Sequence, residues 1–196
     1  MKKAGGGVLA IIAIVVILAI GAFSTYNGLV GLDENVNNSY ADLQTAVQRR
    51  ADLIPNLVNT VKGYASHEQE TLTKITEARA KVNEAKGPKE LSEANAELTK
   101  AIGDINVVVE AYPDLKANQN FIQLQDELAG TENRIAVARK DYNGVVKTFN
   151  SKVRRFPTNI FAKMLGFSPR DYFEADPGAE NAPSVNFGYK VINMIG

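Results

Sequence analysis

The chain begins with an apolar stretch that differs from everything after it. Residues 4–23 contain no charged side chain, and residues 8–20 are Val, Leu, Ala and Ile only. Twenty residues of α-helix reach about 30 Å, the thickness of the hydrocarbon layer of a bilayer. A buried helix of a globular protein would carry a polar stripe, and this stretch has none. We predict that residues 1–23 are a membrane anchor.

The charges beside this stretch predict its orientation. Lys2 and Lys3 precede it, and the first charges after it are Asp33 and Glu34, so the positive-inside rule places the N-terminus in the cytoplasm. The chain would then cross the cytoplasmic (inner) membrane once, with its body outside. A cleaved secretory signal is the alternative, but residues 19–21 match a cleavage site poorly and the apolar core is long for a signal. Lipoprotein modification is excluded, because the chain has no cysteine.

Beyond the anchor, the apolar residues recur every three or four positions, as on one face of a helix. In the first such segment, residues 26–61, they are Leu29, Leu32, Val36, Tyr40, Leu43, Val47, Ile54, Val58 and Val61. Pro55 interrupts this segment and predicts either a kink or a hairpin. The first turn between helices therefore lies near Arg50 or near Gly63, and we favour a kink at Pro55 with the turn near Gly63.

Three more helical segments follow, at residues 72–86, 89–112 and 121–156. The last has apolar residues at alternating steps of three and four, the pattern of helices packed nearly antiparallel. One long coiled coil is the competing interpretation, but Gly87-Pro88 and Tyr112-Pro113 break the chain too often for it. We predict an all-α protein whose residues 24–157 form an antiparallel, up-and-down four-helix bundle.

Residues 158–196 differ in composition. Together with the preceding Phe156-Pro157 they contain four of the seven prolines and seven of the fifteen Phe and Tyr residues. They predict a short helix over residues 159–165, closed by Gly166, and extended or disordered chain beyond Phe173. The apolar side chains of this tail require a surface to cover. These side chains are Phe161, Met164, Leu165 and Phe167. They either pack on the end of the bundle, which we favour, or dock to a partner or to the nearby bilayer.

Composition and motifs supply little chemistry. Without Lys2 and Lys3, 20 basic and 22 acidic residues leave a charge of minus two, which gives no electrostatic reason to bind nucleic acid. His67 is the only histidine, and Thr71 stands where a zinc motif would place the second one. No Glu-x-x-His pair of a di-iron bundle occurs. We predict no metal, no cofactor and no enzymatic activity.

The most distinctive charged group is Arg49, Arg50 and Asp52. These side chains either cap two helix segments and pair with one another, which we favour, or bind a partner's carboxylate or a lipid phosphate.

Two segments of the chain resemble a known family. They are QRRADLIPNLVNTVKGYASHEQETLTKITEARAKV, residues 48–82, and FPTNIFAKMLGFSPRDYFEADPGAENAPSVNFG, residues 156–188. Both are similar to signatures of the LemA family, and the apolar stretch and the connecting helices match it in order. The resemblance implies a single-pass bacterial membrane protein with a four-helix bundle and no established enzymatic activity.

Two functions agree with these observations. We favour a membrane-anchored scaffold or adaptor of the cell envelope, which acts through contacts with an envelope protein. The alternative is a sensor that binds a small apolar or lipid molecule between the helices. The identity of the partner and a homo-oligomeric state are left open. The candidate partner-binding residues are Arg49, Arg50, Asp52, Phe161, Phe167, Tyr172 and Phe173.

Overall fold

The computed structural model describes residues 4–174, without the side chains of residues 4–6 and 18. This part of the chain contains helices and no strand, so the all-α class is confirmed. The tail beyond residue 174, predicted to be extended or disordered, lies outside the described residues. The helices are α1 (Ala4–Lys62), α2 (Gln69–Glu84), α3 (Pro88–Val109), α4 (Pro113–Lys116), α5 (Gln119–Arg154) and α6 (Thr158–Met164).

Helix α1 joins the apolar stretch to the bundle without a break. It has 59 residues, which corresponds to a length of roughly 88 Å. Near its N-terminus, an 18-residue window has a mean hydropathy of 2.8 and no residue buried by the rest of the protein. This part of α1 is long and apolar enough to cross a membrane. Burial begins at Leu29, where the bundle starts.

The first turn lies near Gly63, as favoured from the sequence, and the hairpin near Arg50 is wrong. Pro55 lies inside α1, flanked by the buried Ile54 and Leu57. The backbone N–H groups of Tyr64 and Ala65 both donate to the carbonyl of Val61, at 3.0 and 2.8 Å, and so close the end of the helix. Packing of the neighbouring apolar residues therefore outweighs the helix-breaking tendency of proline.

Helices α1 and α5 are the long antiparallel pair of the bundle. Their register is fixed by Tyr40 beside Tyr142, with ring centroids 5.8 Å apart, and by Arg50 beside Glu132. A step of ten residues toward the C-terminus of α1 thus corresponds to a step of ten residues toward the N-terminus of α5, as in two antiparallel helices. The start of α5 is set by Asn118, whose side chain accepts a hydrogen bond from the N–H of Phe121 at 3.1 Å.

Helices α2 and α3 form a hairpin that completes the four-helix bundle. The hairpin packs on α1 through Arg79, whose Nε donates to the carbonyl of Ala51 at 3.1 Å, and through Gln48, which donates to Asn83 at 3.1 Å. Helix α2 has 16 residues and α5 has 36, or about 24 and 54 Å. The hairpin therefore covers only the part of the α1–α5 pair farther from the apolar stretch.

The interior is filled by the side chains that the periodicity predicted. On α5 these are Phe121, Leu128, Ile135, Tyr142, Phe149 and Val153, all buried. Phe156 breaks the pattern: it lies beyond the end of α5 and is 76 % exposed. Pro113 does not simply end a helix, because it begins the four-residue α4, a position that suits a residue without a backbone N–H.

The tail covers the part of the α1–α5 pair that the hairpin leaves open. The short helix predicted at residues 159–165 is confirmed as α6, and Gly166 follows it with a φ of 82°. Residues 167–174, which we call the C-terminal strap, then run without helix along α5. Phe173 is 1 % exposed and belongs to the core. Helix α6 and the strap thus cover a part of the α1–α5 pair that the hairpin of α2 and α3 does not reach.

Candidate functional site

The structure separates the three residues of the predicted charged group. Helix α1 continues through Arg49, Arg50 and Asp52, so the interpretation that they cap two helix segments is wrong. Arg49 and Asp52 are exposed, and Asp52 accepts a hydrogen bond from the Gln48 side chain at 2.9 Å. Arg50 is 4 % exposed.

Arg50 links three helices inside the bundle. Its Nη1 donates to the hydroxyl of Thr99 on α3 at 2.8 Å and lies 3.5 Å from Oδ1 of Asn95. The same nitrogen lies 2.5 Å from the carboxylate of Glu132 on α5, whose side chain is 40 % exposed. A buried charge requires such partners. Arg50 is therefore used to hold the helices of the bundle together.

The four aromatic candidates of the tail also differ in how deeply they are buried. The ring of Phe167 packs between those of Tyr26 and Phe149, at centroid distances of 6.1 and 6.4 Å. Phe173 is buried, Phe161 is partly exposed, and Tyr172 is 44 % exposed. Packing of tail aromatics on the bundle is thus confirmed for Phe167.

The C-terminal strap is held by two asparagines one heptad apart on α5. Asn150 donates to the carbonyl of Arg170 at 2.9 Å and accepts from its N–H at 2.7 Å. Asn143 makes the same two bonds with Phe173, at 2.8 and 2.9 Å. Three residues of extended chain span about 10 Å, which matches the roughly 10.5 Å of seven helical residues. The spacing of the asparagines therefore suits an extended strap.

Further contacts fix the strap at both ends. Arg170 pairs with Asp33 of α1 at 2.8 Å, and the hydroxyl of Ser92 on α3 donates to the carbonyl of Glu174 at 3.2 Å. The hydroxyl of Tyr142 donates to the carbonyl of Asp171 at 2.8 Å. Burial raises the pKa of Tyr142 to about 12. Its hydroxyl is thus a structural donor and carries no charge at neutral pH.

Sequence reasoning missed the strap contacts, because Asn143 and Asn150 are polar residues in a helix predicted from its apolar ones. The seven-residue spacing of the two amides was the available signal.

A groove runs along the seam of the α1–α5 pair on the side that α2 and α3 leave open. Its volume is about 450 Å³, and all its lining residues come from α1 and α5. Ala46 and Ala138 form part of the wall, and Val137, 61 % exposed, lies at its edge. Asp42 and Asp141 line it on opposite helices. We call this surface the α1–α5 groove.

Within residues 4–174, no group of three or more His, Asp or Glu side chains is arranged to hold a metal ion. His67 is exposed in the turn between α1 and α2. Lys81 and Glu97, which link α2 and α3, lie 2.5 Å apart on the surface, and this pairing raises the pKa of Lys81. Lys81 and Glu97 thus form a solvated ion pair between the two helices.

Comparison with known proteins gives consistent matches. The LemA family matches residues 39–187 of this chain. Protein LemA of Metamycoplasma hominis is 31 % identical over 165 residues, covering 81 % of this chain and 75 % of that protein. Magnetosome protein MamQ 2 of Paramagnetospirillum magneticum is 24 % identical over 210 residues, covering 91 % and 77 %. Magnetosome protein MamQ of Magnetospirillum gryphiswaldense is 23 % identical with the same coverage. On the family match and the first of these relatives, the chain belongs to the LemA family.

Proposed function

We propose that this protein is a membrane-anchored, non-catalytic scaffold that acts through contacts of its bundle with another protein of the cell envelope. The observation that carries the proposal is the continuity of α1, which runs as one helix from the apolar stretch into the bundle. A helix without a break transmits orientation, so the bundle is held at a fixed angle to the anchor. A bundle held in one orientation presents the same face to a partner at the membrane, which suits a scaffold.

The α1–α5 groove is the surface that such a partner would occupy. Ala46 and Ala138 in its wall allow the backbone of a third helix to approach closely. Arg49 is exposed and lies seven residues after Asp42, on the same face of α1. This arrangement extends the groove with a cation that can pair with a partner's carboxylate. Of the charged group predicted from the sequence, Arg49 and Asp52 remain candidates for partner contact.

We further propose that the N-terminus is cytoplasmic and that the bundle lies outside the cytoplasmic membrane. Lys2 and Lys3 before the apolar stretch support this orientation. A reporter enzyme fused after Gly196 tests it, since activity restricted to the exterior agrees with the proposal and activity in the cytoplasm contradicts it.

Crosslinking in membranes tests the scaffold role. A photoreactive amino acid replaces Val137 at the edge of the groove, and in a matched control it replaces Val107 on α3, which is 74 % exposed. We expect a discrete adduct from position 137 and none from position 107. An adduct of twice the chain mass would identify a second copy as the partner. Recovery of monomer alone, or equal adducts from both positions, would overturn the proposal.

The alternative role, a sensor with a ligand between the bundle helices, stays a prediction. The space between α1 and α5 is occupied by buried side chains such as Leu43, Tyr142 and Phe149, so no specific observation favours it.

A further inference from the structure

The end of the bundle nearest the anchor has an unusual surface, made by the end of α5 and by α6. The register of α1 and α5 fixes its height. Tyr40 lies beside Tyr142, and twelve further residues lead to Arg154, the last residue of α5, which this register places at the height of Gly28. Phe156 lies two residues beyond that end. Leu165, just after α6, lines an apolar cavity of about 340 Å³ together with Ala19 and Phe23 of α1. This surface is therefore level with the last turns of the apolar stretch.

Large apolar side chains of this surface face outward. Phe156 is 76 % exposed, Met164 78 %, Ile160 51 % and Leu165 41 %. Burying one such side chain is worth about 1.5 to 3 kcal/mol, so a cluster of four exposed together indicates a surface that another phase covers. The helices of the bundle offer nothing to cover them, because their own apolar faces are already buried.

The charges around this cluster have one sign. Between Asp141 and Asp171 the sequence contains no acidic residue. Arg170 in this interval is paired with Asp33, and residues 24–32 of α1 carry no charge. Four other cations lie at residues 152–163, and all are exposed: Lys152, Arg154, Arg155 and Lys163. Lys147 lies farther along α5, at the height of the exposed Glu34, and is not part of this region. The chain as a whole is neutral, so this end is a local basic region.

We propose that this surface, which we call the seating surface, rests in the headgroup region of the bilayer and binds the phosphates of anionic phospholipids. Apolar side chains enter the boundary with the acyl chains, and the surrounding lysines and arginines contact phosphate, the arrangement of an interfacial amphipathic helix. An acidic protein would satisfy the cations but would not explain apolar side chains at the height of the anchor. The bilayer satisfies both.

The absence of tryptophan from the chain allows a direct test with the full-length protein in vesicles. Phe156→Trp and Met164→Trp each place one reporter on the seating surface. Thr148→Trp is the matched control, exposed on α5 and about 9 Å farther from the membrane than the last residue of that helix, Arg154. With phospholipids brominated on the acyl chains, we expect blue-shifted emission and strong quenching at positions 156 and 164. Position 148 should stay solvent-like and much less quenched.

Lipid charge supplies the second arm. Adding phosphatidylglycerol to phosphatidylcholine vesicles should increase quenching of the Phe156→Trp variant. Each cation near an anionic leaflet changes the ratio of seated to free surface by roughly fivefold. Further substitution with Arg154→Gln, Arg155→Gln and Lys163→Gln should therefore strongly weaken the dependence on phosphatidylglycerol, and Lys152 alone would still contribute to it.

Two results would overturn the proposal. The first is solvent-like emission at positions 156 and 164 with quenching no greater than at position 148, which is also the result expected if an acidic protein is the true occupant. The second is quenching that the lipid charge does not affect, which would leave only apolar contact. Both arms use vesicles without other proteins, so their outcome is independent of the scaffold role tested by crosslinking.

Discussion

Release of the C-terminal strap by a single substitution is the sharpest test of how this fold is held together. Asn150 is 4 % exposed and makes two hydrogen bonds to the backbone of Arg170. Asn150→Ala removes both. A hydrogen bond contributes about 0.5 to 1.5 kcal/mol net, so the strap should lose about 1 to 3 kcal/mol of local stability at this point. That range corresponds to opening that is roughly 5 to 150 times more frequent.

Hydrogen exchange of single backbone amides measures this loss directly. In the native chain, the N–H of Arg170 is bound to Asn150 and that of Phe173 to Asn143, so both should exchange slowly. Asn150→Ala should accelerate exchange at Arg170 by the factor given above. Asn143→Ala should act in the same way on Phe173.

The matched control is Asn38→Ala, which changes an exposed asparagine on α1 and should leave both amides as slow as in the native chain. The reasoning is refuted if Arg170 exchanges freely in the native protein. It is also refuted if the Asn150→Ala and Asn38→Ala variants exchange Arg170 at the same rate, because the side-chain amide would then not hold the strap.

Four further predictions concern stability. Arg50→Met should lower the free energy of unfolding by about 2 kcal/mol through loss of the contacts to Thr99 and Glu132, whereas the exposed Arg49→Met should change it little; paired thermal melts decide. Burial holds the pKa of Tyr142 near 12 against an ordinary 10.0, so the unfolded chain loses this proton first as the pH rises. Stability present below pH 10 should therefore fall by up to about 2 kcal/mol toward pH 12, and denaturant titrations should show a shallower decline in Tyr142→Phe. Gly87 precedes α3 with a φ of 102° and a ψ of 173°, a conformation essentially restricted to glycine, so Gly87→Ala should cost about 1 to 3 kcal/mol. Gly103→Ala inside α3, where a Cβ meets no atom within 4 Å, should instead stabilise by about 0.5 to 1 kcal/mol.

Hydrophobic periodicity predicted most of the fold because the interior of a bundle is built from it. Most predicted apolar positions of α5 between Phe121 and Phe149 are buried, although Leu124 and Val145 are only partly so. The turn near Gly63 lies where the sequence favoured it. Polar motifs at the ends of the helices predicted the structure less well. Ser66 and Gln69 have the spacing of a capping box, but the bond that forms runs from the Gln69 side chain to the carbonyl of Ser66 at 3.3 Å. Gly63 could adopt a left-handed conformation at the end of α1, but its φ is not positive.

The candidate site was the least predictable part, because burial depends on neighbours distant in sequence. Arg49 and Arg50 are adjacent and chemically alike, yet one faces solvent and the other pairs with Glu132 on α5. The helical period places them about 100° apart, but only the position of α5 decides which is buried. Phe173 is buried for a similar reason, because its backbone is hydrogen-bonded to Asn143, a residue of α5 that is distant in sequence.

Fractionation of membranes tests the central claim, that residues 4–23 stay in lipid and hold the bundle at its surface. Cells that produce the chain are lysed, their membranes are washed with alkaline carbonate, and the intact mass of the protein is determined in each fraction. We expect the protein in the washed membrane pellet with a mass that includes the apolar stretch. Recovery of protein that retains this stretch in the aqueous supernatant would contradict the account, and so would a mature chain from which the stretch has been removed.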